Sequence, residues 1–86
     1  MFVVVKIDTE SGTVEHAERC DSDWVTARSL AQEMIMSEYD DRGIEILDEA
    51  KYEREIEDSL VTLGYYRLIG KHRESLNTII QVIELT

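Results

Sequence analysis

The two most apolar segments of this chain lie at its opposite ends, and both are rich in β-branched residues. Phe2-Val3-Val4-Val5-Lys6-Ile7 reads as a strand buried on at least one face. Leu76 to Leu85 reads as another, with Ile79, Ile80, Val82 and Ile83 at its heart. They are the natural central pair of a sheet, and whatever lies between them must fit around that pairing.

Thr13 to Arg19 carries less apolar content (Val14, Ala17) and returns from the turn Asp8–Gly12 as the hairpin partner of the first strand. Asp21 or Ser22 is positioned to cap a helix that follows. From Trp24 to Tyr39 the residues Trp24, Ala27, Leu30, Ala31, Met34 and Ile35 fall on one arc of a helical wheel, with Arg28, Gln32 and Glu33 opposite. Val25 and Met36 project on the polar side. Asp40-Asp41-Arg42-Gly43 breaks this helix. A second helix starts near Asp48 or a little earlier and ends at Leu63, with Gly64 just past its end. Its core-facing arc is Tyr52, Ile56, Leu60 and Leu63. Tyr65–Ile69 then reads as a strand or, alternatively, as a continuation of the helix, and residues 70–75 as a polar turn. The order β-β-α-α-β-β predicts a single α+β domain over residues 1–86: a small antiparallel sheet of three or four strands, with two helices packed on one face.

Charge narrows the function classes. The chain carries 19 acidic and 9 basic residues, a net charge of −10. Residues 38–58 alone hold 10 of those acids against 3 bases. Such acidity argues against direct contact with nucleic acid or an anionic membrane. No apolar run approaches the ~20 residues of a membrane span, and no basic region precedes Phe2–Val5 as in a signal peptide. Cys20 is the only cysteine, so an internal disulfide is impossible and a reducing, cytoplasmic compartment is expected.

Within the acidic segment Glu45, Glu49, Glu53 and Glu57 recur four residues apart, which on one continuous helix would line them up as a stripe of like charge. Each like pair costs about 0.2–0.5 kcal/mol. On the wheel the stripe extends the apolar arc of the second helix along its length, a conflict with three solutions. The helix starts late, with Ile44-Glu45-Ile46 extended; its first turns overhang the core, where Glu suits the positive end of the helix dipole; or the stripe forms a binding face. At helical spacing Lys51 reaches Asp48 and Glu55, and Arg54 reaches Glu57 and Asp58, whereas Glu49 and Glu53 have no base in range.

Other motifs fare worse. Aligning Gly43 with the obligatory glycine of a calcium loop puts Glu38, Asp40 and Glu49 at ligand positions, but Arg42 falls where an oxygen is required. A zinc site would need His16, Cys20, His72 and a carboxylate such as Asp21, without any paired-ligand spacing. Cys20 has no base securely beside it, and no phosphate-binding loop is present. No catalytic residue, metal or cofactor is therefore expected.

In size, acidity and lack of catalytic residues the chain resembles the small phage or mobile-element proteins that inhibit host nucleic-acid machinery, some of which imitate DNA. The resemblance is one of composition. It implies a partner protein with a basic surface, engaged through residues 38–58; the candidate contacts are Glu38, Tyr39, Asp40, Asp41, Glu45, Asp48, Glu49, Glu53 and Glu57. The alternative is a small accessory subunit, homo-oligomeric, whose acidity serves solubility or salt adaptation.

Overall fold

A computed structural model describes residues 1–85. The elements are β1 (Phe2–Asp8), β2 (Thr13–Cys20), α1 (Trp24–Asp41), α2 (Glu49–Leu63), β3 (Tyr65–Ile69) and β4 (Ser75–Glu84). All four strands form one antiparallel sheet in the order β2-β1-β4-β3. The fold is α+β, as the sequence predicts, and the two β-branched runs are its central pair, with Phe2 opposite Glu84 and Asp8 opposite Thr78. Tyr65–Ile69 is a strand, which settles the sheet at four.

Both helices lie on one face. Alanines at 27 and 31 let α1 approach the sheet closely, and Ile35 and Tyr39 continue the same four-residue row into the core. Ile56 and Leu60 anchor α2. Opposite them stand Phe2, Val4, Tyr66, Leu68, Ile80 and Val82. Trp24 packs edge-on against Phe2, closing the start of α1 over the first strand.

The helix ends differ from expectation in detail. The N-cap of α1 is Asp23, one residue past the predicted candidates; its carboxylate accepts from the Thr26 N–H at 2.9 Å. That bond holds the Asp23 carboxyl below its usual pKa. At the other end Gly43 sits at φ 67°, and two bonds seal the turn: Gly43 N–H to the Asp40 carbonyl and Ile44 N–H to the Tyr39 carbonyl. This is a Schellman ending, and it turns Ile44 back toward the core. Gly64, at φ 78°, ends α2 as predicted, and its carbonyl accepts from Val82 N–H at 2.9 Å, tying the helix end to β4. Leu63, placed on the core arc by the wheel, is 58% exposed. No helix among the described residues is long and apolar enough to cross a membrane.

Candidate functional site

The site grows out of the junction between the helices. After Gly43 the chain runs extended through Ile44-Glu45-Ile46-Leu47. Ile44 and Ile46 are half-buried against the core, so the alternation of an extended backbone throws Glu45 and Leu47 outward. Leu47 is 88% exposed. Asp48 then caps α2, accepting from Lys51 N–H at 3.1 Å. Helix α2 therefore starts late, at Glu49. The four-glutamate stripe is broken: Glu45 stands off the helix, while Glu49, Glu53 and Glu57 remain on it.

Two shallow hollows follow the seam between α1 and α2. One, of about 220 Å³, has Met36, Ile44 and Ile46 for a floor and Asp40, Glu45 and Glu49 on its rim. The next, of about 280 Å³, shares Met36 and adds Ile56, with Glu33 and Glu53 on its rim. Together they form a groove with a thioether at its centre and five carboxylates around it. Among the described residues none of the five makes an ion pair. Met36 is thus no stray apolar residue on a polar side; it is half-buried between the helices. Glu33 escaped the sequence reading, and its signal was the three-residue step to that same misplaced methionine. Past the Ile44–Asp48 segment the field changes sign, where Lys51, Lys71 and Arg73 join Glu45 and Asp48 around a third hollow.

The remaining predicted contacts lie elsewhere. Tyr39 was expected to meet a partner beside the acidic turn, but it is 1% exposed. Its hydroxyl lies 2.7 Å from that of Tyr66 and accepts from Ile69 N–H at 3.0 Å, where the register between β3 and β4 shifts. Burial and the Tyr39 hydrogen bond push the Tyr66 phenol far above its ordinary pKa. Glu38 also turns inward. With only 14% of its side chain exposed, it accepts from Lys6 at 2.8 Å and from Arg42 at 3.1 Å. Burial raises its pKa, but the bonds from Lys6 and Arg42 outweigh that, and the carboxyl ends below its usual value. Lys6 is raised in turn, chiefly by its hydrogen bond to Glu38. Arg42 goes on to donate to Thr78 Oγ1 at 2.6 Å. The result is a polar network beneath α1 that joins the helix to both central strands.

Glu57 is paired across the helices with Arg28 at 2.8 Å. Neither Lys51 nor Arg54 makes an ion pair among the described residues, contrary to the local pairing predicted. Long exposed side chains gain little from such pairs. Asp40, Asp41, Glu45, Asp48, Glu49 and Glu53 all remain exposed. The structure brings Asp40, Glu45, Glu49 and Glu53 onto one groove, with Asp41 and Asp48 beside it.

Cys20 is buried at the end of β2, and His16 on the same strand is exposed and faces Glu18 at 3.4 Å. Among the described residues no three His, Cys, Asp or Glu side chains gather as a metal site requires. The chain matches no family model, no curated protein and no solved structure.

Proposed function

We propose that this protein is a non-catalytic binding module that engages a basic surface of another protein through the acidic groove between α1 and α2. The observation that carries the reading is the combination of five carboxylates lacking cationic partners with an apolar floor centred on Met36. Carboxylates offer Arg and Lys charge-assisted hydrogen bonds, and a flexible thioether accommodates their aliphatic stems. A basic surface that fits this groove would otherwise hold phosphates. In its sharper form the reading is an inhibitor, phage or mobile-element in origin, that occupies a host protein's nucleic-acid site. Carboxylates four residues apart on α2 rise about 6 Å, against roughly 3.4 Å per phosphate on a DNA strand. Any imitation of DNA therefore needs acids from both walls of the groove.

Charge reversal tests this. Glu49→Lys with Glu53→Lys should keep the native circular dichroism and abolish capture of the partner from a host lysate. Capture by the parent should fade as salt rises. Capture that survives the reversal, with the fold intact, would show that the groove is not the site. The accessory-subunit reading has its own support in the sheet face away from the helices.

A further inference from the structure

The helices cover only one face of the sheet. The shortest dimension of the molecule is 21 Å, the depth of one helix layer on one sheet layer. Side chains alternate along a strand, so with Phe2 and Val4 under the helices, Val3, Val5 and Ile7 point the other way. Their cross-strand partners on β4 are Ile83, Gln81 and Ile79. An antiparallel sheet with one wet face normally alternates apolar and polar residues. Phe2–Val5 and Ile79–Ile83 do not: they are apolar on both faces, the pattern of strands covered on both sides.

On this face Val5 is 6% exposed, shielded by its own neighbours, Val3, Ile7 and Ile79 are half-buried, and Ile83 is 37% exposed. We infer that this helix-free face is the interface of a homodimer in which two copies stack sheet on sheet, with the acidic helices outermost. Three observations select a second copy as the occupant. First, although the chain carries a charge of −10, the three cross-strand rows through Val3, Val5 and Ile7 hold no carboxylate. Their only charges are Arg19 and Arg67, on the two edge strands at diagonally opposite corners. Aligned sheets pack within about 30° of each other, and a two-fold axis along or across the strands then sets neither arginine over an arginine.

Second, the polar residue at the centre is Gln81, between Val5 and Tyr65. An amide both donates and accepts, so it can bond its own symmetry mate, which a lysine or glutamate could not. Third, the area suffices. Four strands about 4.8 Å apart and some ~24 Å long give about 450 Å² of plane per copy, or ~900 Å² per pair before side-chain relief is added. A specific interface needs ~1,000 Å².

The edges are poor alternatives. Edge strand β2 is bulged and carries Glu15, His16, Glu18 and Arg19, and edge strand β3 is only 5 residues long. Stacking face to face also keeps the acidic helices some ~30 Å apart, well beyond the ~8 Å screening length at physiological salt.

Sedimentation equilibrium of the whole chain at micromolar concentration should give twice the chain mass of 10.0 kDa, undiminished by added salt. Ile79→Lys with Ile83→Lys should halve that mass and leave the circular dichroism native. Should that variant fail to fold, Gln81→Cys decides: a bis-maleimide whose spacer matches the ~10 Å separation of stacked sheets should couple two copies, one thiol adding across each maleimide double bond. Cys20 is shielded beneath the helices on the other face. A parent that is monomeric throughout, a folded lysine variant that stays dimeric, or a Gln81→Cys protein that does not cross-link would each overturn the proposal. Glu49→Lys with Glu53→Lys leaves the dimer intact, so failure of the acidic groove and failure of this interface are read separately.

Discussion

Replacing Glu38 by Gln removes one charge from the network beneath α1 and nearly nothing else. The amide keeps the size of the carboxylate and one acceptor oxygen, but it leaves Arg42 without its counter-ion and Lys6 with only Glu15, at 3.4 Å. The Lys6 bond is short, at 2.8 Å, and its acid partner is only 14% exposed. A hydrogen bond to a charged group is worth about 1.5–3 kcal/mol when desolvated, and partial exposure of Lys6 trims that figure. Arg42 adds the ~0.3–0.5 kcal/mol of a helical pair, and its bond to Thr78 persists. The expected loss is about 1.5–2.5 kcal/mol, a fall in Tm of roughly 6–20 °C for a domain of this size.

Urea titration across pH isolates the charge. The Glu38 carboxyl is held below its ordinary value of 4.5, so its contribution is fully present above that pH and lost as pH falls through the folded-state value. Parent and variant should differ at neutral pH and converge in acid. A gap under ~0.5 kcal/mol at neutral pH, or one undiminished in acid, would refute the network as described. Because Glu38 faces inward, the same variant should still capture the partner.

Tyr66 supplies the alkaline counterpart. Its phenol ionises in the unfolded chain near 10.0 but is held well above that when folded, so stability should fall as pH rises past 10.0, and Tyr66→Phe should flatten the slope in an alkaline urea series. Gly43 ends α1 at φ 67° with open space where a Cβ would point. Gly43→Ala should therefore cost only the left-handed backbone penalty of about 1–2 kcal/mol, and Gly43→Asn less, both read from thermal melts.

Much of this architecture is written locally. The β-branched ends, the helical arcs and Gly64 are signals a few residues long, and each produces the element it predicts. Tyr39 shows how a visible signal loses to a louder one. It is the fourth member of the row Ala27-Ala31-Ile35-Tyr39, yet its hydroxyl and its neighbours Asp40 and Asp41 suggest surface. What buries it is Tyr66, a hydroxyl partner 27 residues away. Glu57 finds its cation, Arg28, on α1, beyond the reach of helical spacing, and Glu38 adds to the helical partner Arg42 a shorter bond from Lys6 on β1 that draws it inward. Leu63 failed differently, because a wheel assumes cover along the whole helix. The groove itself was half legible. Glu49 and Glu53 emerge from unmatched charge, whereas Glu33 and the Met36 floor need two helices laid side by side.

The central pairing sets the order in which the chain can assemble. Asp8 meets Thr13 across a short turn but meets Thr78 only after both helices and β3 have been made. Loop closure over that longer span costs roughly 2.5 kcal/mol more than over the turn. On the ribosome the β1–β2 hairpin must therefore wait, one edge of β1 unpaired, until β4 emerges. Folding should be slow for a chain of this size, and the nascent hairpin is the natural client of a chaperone.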